Sequence, residues 1–351
     1  MTAFPKHPRK LLIRSTNWIG DAVMTTPALR SIRAFYPDTE ITLLAHPWVA
    51  DVFRASPRID RIITYDKHGM HRGVAGIIKL GLGLRHQGFA AAILLQNAFE
   101  AAVIARLAGI PARGGFTTDG RGLLLSHGIA RPKEHRHTHQ VHYYQALVQG
   151  LGIPPGSNEL ELFLPAQETQ AAAAAVAALR AGYGRSGPVV GLNPGAAYGP
   201  AKRWPAAQFA ALAGLVIEEM DGSVVIFGTG TDHAAAAEIG ANLPASRVLD
   251  LTGRTTLLAA MAHIDQCDCF VTNDSGLMHV AAALHRPSVA IFGSTNPVTT
   301  GPFSNNAAVI REELDCSPCL KPECPEKHFN CMVRITPEKV LATLYRCLEE
   351  V

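Results

Sequence analysis

No stretch of this chain runs to ~18 apolar residues without interruption, so nothing in it reads as a membrane-spanning helix. Residues Met1 to Arg9 are polar, broken by prolines and free of an apolar h-region. No secretory signal is therefore expected, and the cytoplasm is the expected compartment. Two glycine signatures are missing as well. No G-x-G-x-x-G follows the first apolar run, and no G-x-x-x-x-G-K occurs; the segment starting at Phe227 offers only G-x-G. Dinucleotide oxidoreductase and P-loop NTPase readings lose ground accordingly. Aromatics are only 7% of residues, too few to interleave a basic nucleic-acid surface, and no nucleic-acid motif is present. Charged residues make up 17% and hydrophobic residues 48%, a core-forming balance that excludes a disordered chain.

What is present is enough for two domains. The 351 residues exceed one ordinary core and suit two of about 150–200 each. The net charge of +3 hides an asymmetry. Residues 1–150 carry 19 Lys+Arg against 9 Asp+Glu, and the remainder carries 13 against 20. A basic first half points to an anionic partner, with nucleic acid, phosphorylated lipid and a membrane surface as candidates; drift in solvated charge is the plain alternative.

Apolar runs alternate with helical periodicity along the chain. Residues 10–14 read as a short buried strand, 15–21 as a loop, and 22–35 as a helix stopped by Pro37. Strands at 41–45, 59–65 and 90–95 follow, with helices at 49–54 and 74–86. Residues 150–165 are linker-like, and an Ala-rich helix spans 168–181. Strands then recur at 189–192, 224–227, 248–251, 269–272 and 288–292. Helices at 206–220, 232–243, 256–263 and 277–283 lie between them. A last helix, 337–349, has Thr336 as N-cap and Pro337 at its first position. This alternation predicts an α/β fold with parallel sheets covered on both faces. The expectation is two Rossmann-like domains, 1–167 and 168–351, facing a central cleft, with helix 337–349 free to pack back on the first. Ligands bind beyond the carboxyl ends of such strands, which singles out loops 15–21, 193–204, 228–232, 252–255, 273–276 and 293–296.

Three of these loops carry chemistry. In Cys269-Phe-Val-Thr-Asn-Asp-Ser-Gly-Leu-Met-His279 a strand runs into Asp274, Ser275 and Gly276, and a helix starts at once. Backbone N–H groups at a helix start suit a diphosphate, and Gly276 has no Cβ to keep it away. The alternative is an ordinary N-cap by Asp274 or Ser275. His279 falls about one turn into that helix. The loop Asn193 to Pro205 holds Gly195 and delivers Lys202 and Arg203 just ahead of Trp204. Lys202 could neutralise a departing phosphate, or the pair could be solvated with Trp204 as a core anchor. Asp21, before a helix, is either a general base for a hydroxyl nucleophile or an N-cap.

Other clusters are less tied to a reaction. Cys316, Cys319, Cys324 and Cys331 could close a structural zinc site, or remain free thiols or one disulfide. His135, His137, His139 and His142 form a tract that reads as a metal site or, preferably, as a wet basic loop. Residues 69–88 mix Ile77, Ile78, Leu80, Leu82 and Leu84 with His71, Arg72, Lys79 and Arg85, a composition that fits either an anionic membrane surface or core packing.

The stretch from Ser15 through Asp21 to Leu29, the loop Asn193 to Pro205 and the run Asn273-Asp-Ser-Gly-Leu-Met-His-Val-Ala-Ala-Ala283 together resemble the ADP-heptose:lipopolysaccharide heptosyltransferases of glycosyltransferase family 9, with wording nearest to its heptosyltransferase II members. Phe292-Gly-Ser-Thr-Asn-Pro-Val298 also fits, and the resemblance spans about residues 10–345. It implies a GT-B fold and a metal-independent inverting transfer with no cofactor. The implied donor is ADP-heptose and the implied acceptor is the first heptose on Kdo2-lipid A. Asp21 would deprotonate the acceptor hydroxyl and Lys202 would hold the donor's phosphates. Asp274, Ser275, Gly276 and His279 match the donor-binding run, with Thr252 and Gly253 near the adenosine. The basic half would then face a phosphorylated lipid at the inner membrane, where the protein would be peripheral. Arg113, Arg121, Lys133 and Arg136 are candidates, on charge alone, for acceptor phosphates. A nucleotide-sugar epimerase or hydrolase and a non-catalytic nucleotide-sugar-binding protein are the rival readings.

Overall fold

Two all-parallel six-stranded sheets form the frame of this computed structural model, which describes residues 3–181 and 187–349, the Arg136 side chain excepted. The chain divides into two units, Met1–Phe163 and Leu164–Val351. The division falls four residues before the expected one, because the Ala-rich helix starts at Ala166, directly after Pro165.

The first sheet holds β1 (Lys10–Arg14), β2 (Glu40–Ala45), β3 (Arg61–Thr64), β4 (Ala91–Leu94), β5 (Ala112–Phe116) and β6 (His127–Ile129), in the order β3-β2-β1-β4-β5-β6. The second holds β7 (Val189–Asn193), β8 (Ser223–Ile226), β9 (Val248–Asp250), β10 (Cys269–Asn273), β11 (Ser288–Phe292) and β12 (Ala307–Arg311), in the order β12-β11-β10-β7-β8-β9. Numbered from its own first strand, each sheet has the same doubly wound order, 3-2-1-4-5-6. The central strands are mostly apolar between their ends because helices cover both faces. Leu11 of β1 pairs with Ile41 and with Ala91, and Val190 of β7 with Cys269 and Val224.

Each unit buries its own core. Leu12, Leu44, Leu80, Leu84, Leu94 and Ile104 pack in the first; Leu192, Phe209, Leu212, Val271, Ile291 and Leu344 pack in the second. The last helix, Pro337–Glu349, lies on helix Ala206–Met220 and on β10–β12 of its own unit. Val340, Leu341, Leu344 and Cys347 of that helix are buried there.

The expected elements need correction in places. The single helix at 22–35 is two, Ile19–Met24 and Thr26–Phe35. Pro27 has no N–H and would clash with the carbonyl four residues back. Thr25 Oγ1 and Thr26 Oγ1 instead donate to the carbonyls of Ala22 and Val23, at 2.6 and 2.8 Å. The helices Phe99–Leu107 and Gln140–Gly150 and the strands β5, β6 and β12 had not been anticipated. In β5, Gly114 and Gly115 imitate a loop; a Cβ at Gly114 would meet Leu151 at 2.7 Å, so the glycine lets the two pack.

Candidate active site

In the second unit the strand order reverses between β7 and β10, and that is where a doubly wound sheet opens a crevice. Each of these strands ends on a buried asparagine. Asn193 Nδ2 donates to Thr272 Oγ1 at 2.9 Å and to Ser275 Oγ at 2.7 Å. Asn273 Nδ2 donates to the Pro194 carbonyl at 2.7 Å, and its Oδ1 accepts from the Trp204 N–H at 3.0 Å. The end of one strand thus holds the loop of the other. Trp204 is buried, packs edge-on against Phe209 with ring centroids 4.8 Å apart, and donates from Nε1 to the Ile335 carbonyl at 2.9 Å. It is the core anchor, and it fixes the residues just before it. Arg203 donates to the Ala196 carbonyl within the same loop, at 3.1 and 3.3 Å.

Lys202 turns the other way. Its Nζ lies 2.6 Å from Asp274 Oδ2 and 5.0 Å from the centre of the Tyr198 ring. Thr295 Oγ1, just past β11, donates to the same Asp274 oxygen at 2.5 Å. Two of the expected donor-side residues are therefore in direct contact, and Thr295 joins them from the segment that begins at Phe292.

The helix Gly276–Ala283 starts beside this pair with Ser275 at its N-cap position, and no side chain caps it. The Ser275 hydroxyl is held by Asn193 and Thr272, and Asp274 is held by Lys202. The capping alternative is thereby set aside. Ser275, Gly276 and Leu277 are half-buried, and the unbonded N–H groups of this first turn give the helix start partial positive charge. His279 is buried one turn further in.

The remaining donor-side candidates divide. A Cβ at Gly195 would sit 2.9 Å from Asp232 Oδ2, so this glycine makes room for a buried carboxylate. Asp232 in turn accepts from the Thr229 N–H at 2.9 Å and hydroxyl at 2.8 Å. Gly253 is exposed at φ +66°, a left-handed conformation that suits glycine, and lies against the His233 ring. Thr252 is wholly buried and its Oγ1 has no hydrogen-bond partner among the described residues.

The cysteine segment braces the Lys202 loop. Ser317 Oγ donates to the Gly293 carbonyl at 2.7 Å and the Leu320 N–H to the Ser294 carbonyl at 2.7 Å. Tyr198 OH donates to the Leu320 carbonyl at 2.9 Å, and the Ala201 N–H to the Pro322 carbonyl at 3.0 Å. Cys316 is exposed, Cys319 and Cys324 are half-buried and Cys331 is buried, where desolvation pushes its thiol pKa up. Among the described residues no group of three or more His, Cys, Asp or Glu is arranged to hold a metal ion, so zinc at these cysteines has no support. The histidine tract serves the backbone: His139 Nδ1 accepts from the Val141 N–H at 3.2 Å and caps the helix Gln140–Gly150.

In the first unit Asp21 lies inside the first turn of helix Ile19–Met24, three residues after the N-cap Trp18, and is neither a loop residue nor the cap. A carboxylate is stabilised at that end of a helix. The buried Tyr144 hydroxyl donates to it, and burial first, then the nearby Asp21 charge, raises the Tyr144 pKa well above its usual value. The loop before Asp21 hangs on buried Arg14. Its guanidinium donates to the Ser15 carbonyl at 2.6 Å, to Asn17 Oδ1 at 2.8 Å and to His46 Nε2 at 3.2 Å. An arginine only donates, so Nε2 accepts and the His46 proton sits on Nδ1, 2.8 Å from the Tyr65 carbonyl. Burial, then the Arg14 charge, pulls the His46 pKa down to about 4, and burial pulls Arg14 down to about 10. No spacing signal in the sequence marked Arg14, His46, Tyr144, Asn193 or Thr295; their roles arise from partners distant in the chain.

Two of the basic candidates already have acceptors within their own unit. Arg121 is fully buried and donates to the carbonyls of Phe116 and Gln96 and to Asn97 Oδ1. Arg113 donates to the carbonyls of Leu124, Ile110 and Pro111. Charge alone misread the fully buried Arg121, because a guanidinium can be consumed by backbone acceptors as readily as by phosphate, while Arg113 is only half-buried. Lys133 is exposed, and the Arg136 side chain lies outside the described residues.

Known proteins share this sequence pattern and fold. The model of glycosyltransferase family 9 (heptosyltransferase) matches residues 77–330. Lipopolysaccharide heptosyltransferase 2 of Escherichia coli K12 is 34% identical over 340 residues, covering 95% of this chain and 97% of the relative. Its Salmonella typhimurium counterpart is 33% identical, covering 97% and 99%. The solved structure of the E. coli ADP-heptose heptosyltransferase II superposes with a TM-score of 0.80 at 32% identity, covering 97% of this chain and 99% of that one. With a family match over most of its length and relatives above 30% identity from end to end, the chain belongs to the heptosyltransferases of glycosyltransferase family 9.

Proposed function

We propose that this glycosyltransferase moves L-glycero-D-manno-heptose from ADP-heptose to the first heptose of the lipopolysaccharide inner core, with inversion and without a metal or cofactor. The relatives named heptosyltransferase 2 support the substrate pair. The observation that carries the reading is Lys202 paired with Asp274 beside an uncapped helix start at the β7–β10 switch point. That arrangement suits a diphosphate that leaves. As the acceptor oxygen bonds to the anomeric carbon, the bond from that carbon to the β-phosphate oxygen breaks and ADP departs with the electron pair. Lys202 and the N–H groups of the first helical turn offset the growing charge. Asp21 takes the proton of the acceptor hydroxyl, held for that task by Tyr144. Gly195, Ser275, Gly276 and Gly253 line the donor side, and exposed Lys133 remains a candidate for acceptor phosphate. The protein works at the cytoplasmic face of the inner membrane as a peripheral enzyme.

Purified protein, ADP-heptose and lipid acceptors carrying no, one or two heptoses test the proposal. Product should form only with the one-heptose acceptor. Release of ADP at the same rate with no acceptor would make the protein a hydrolase, and transfer to the heptose-free acceptor would move it to another inner-core position.

A further inference from the structure

Between Asp66 and Glu100 the sequence contains no Asp or Glu, yet it holds Lys67, Arg72, Lys79 and Arg85. The helix Gly73–Arg85 occupies the middle of this stretch. Its inner face, Gly76, Leu80, Gly81 and Leu84, is buried, and Gly81 lies so close to Leu107 that a Cβ would meet the Leu107 Cβ at 2.5 Å. The outer face is also apolar. Met70, Val74, Ile78 and Leu82 recur every four residues and are 67%, 74%, 43% and 46% exposed. Within the helix this spacing puts Val74, Ile78 and Leu82 in one stripe about 12 Å long, with Met70 in the turn just before it. A single exposed leucine needs no explanation, but a continuous stripe does.

Cations frame the stripe. The side chains of Arg72, Lys79 and Arg85 make no hydrogen bond or ion pair among the described residues and are exposed. A cavity of about 350 Å³ runs alongside, between the helix and the edge strand β3, lined by Arg61, Ile63, His71, Lys79, Leu80 and Leu84. An apolar stripe bordered by unpaired cations, with no carboxylate on its own segment, complements a surface that is anionic at its headgroups and apolar beneath them. The helix descends from the carboxyl end of β3, the same end of the sheet from which the chain leaves β1 toward helix Ile19–Met24 and Asp21.

We infer that the outer face of helix Gly73–Arg85 is a membrane-docking surface that seats this protein on an anionic phospholipid bilayer. Val74, Ile78 and Leu82 enter the headgroup boundary, while Arg72, Lys79 and Arg85 meet lipid phosphates. The inference rests on the proposed lipid-linked acceptor, for it gives the enzyme a way to stay where that acceptor is. It concerns residues outside the reacting groups.

Vesicle sedimentation with the full chain and no substrate tests it. The protein should partition onto phosphatidylethanolamine vesicles containing about 30% phosphatidylglycerol, weakly onto phosphatidylcholine alone, and less as salt rises. The triple variant Val74→Ser, Ile78→Ser, Leu82→Ser should bind the anionic vesicles about tenfold less, and Lys79→Glu should do likewise. Both should keep their circular dichroism and should transfer to a water-soluble, deacylated acceptor within about twofold of the parent, since exposed substitutions disturb stability little. Equal binding of parent and triple variant to anionic vesicles would overturn the inference. So would a self-association of the parent that the triple variant abolishes, because a second copy would then be the occupant. Loss of transfer to the soluble acceptor in the parent itself would instead count against the heptosyltransferase reading.

Discussion

Lys202 Nζ and Asp274 Oδ2 are 2.6 Å apart, and their side chains are only 15% and 6% exposed. The lysine is thus held ready by a carboxylate that also accepts from Thr295. Removing one partner of such a pair leaves the other charge shielded from water and uncompensated. Lys202→Ala should therefore do two things at once. It should lower kcat/KM by about 100- to 1,000-fold through loss of charge stabilisation on the leaving diphosphate. It should also cost about 3 kcal/mol of stability. Steady-state kinetics and a urea titration on one preparation check both, and a fully active variant would remove Lys202 from the chemistry.

Asp21 and Tyr144 separate a base from the group that aims it. Asp21→Asn should reduce turnover by about 100- to 10,000-fold. Tyr144→Phe keeps the base but removes a hydrogen bond to its charged form. Such a bond lowers a carboxyl pKa, so its loss should raise that of Asp21. The acid limb of the kcat/KM profile should then move to higher pH, with a smaller fall at the plateau. An unchanged acid limb in Tyr144→Phe would show that the phenol only packs.

Gly195 is needed for space rather than for flexibility. Asp232 is pinned by Thr229, so it cannot easily swing away from a Cβ arriving at 2.9 Å. Gly195→Ala should cost about 1–3 kcal/mol as an overpacked site. Combined with Asp232→Ala, the cost should be less than additive, because the clash goes when the carboxylate goes. Thermal denaturation of the two single variants and the double variant measures this.

His46 gives stability a pH dependence. Its folded pKa of about 4 is depressed below the usual value of 6.5 by burial and by Arg14. The folded state therefore resists protonation. The stability this group contributes is complete above pH 6.5 and is lost as pH falls through about 4. The loss amounts to about 3 kcal/mol at most. His46→Gln should flatten that limb of the stability curve while leaving other acid-labile groups in place. A parallel curve for parent and variant would show that His46 does not titrate in this window.

Periodicity located most strands of both sheets, because a helix-covered parallel strand such as 10–14 or 288–292 is a short apolar run between turn residues. It failed where glycine interrupts the run, as in β5 and β6. The segments bearing Asp21, Lys202 and Asp274 were legible because they follow closely on strands. What those side chains touch was not legible. Nothing near Arg121 in sequence says that it is consumed by Gln96 and Asn97, and nothing near Asp21 names Tyr144. Such contacts are set by how helices stack on a sheet, which local pattern does not encode.

The crossed asparagines, Asn193 and Asn273, have a kinetic consequence. Each clamps the loop that follows the other's strand, and Trp204 nails down the far end. The Lys202 loop is consequently frozen when the chain folds, not when the nucleotide sugar arrives. Ordering entropy that many binding loops surrender on each encounter is settled here once per molecule, during folding. Donor capture should then be a one-step event, with an observed rate linear in donor concentration and no slow rearrangement behind it.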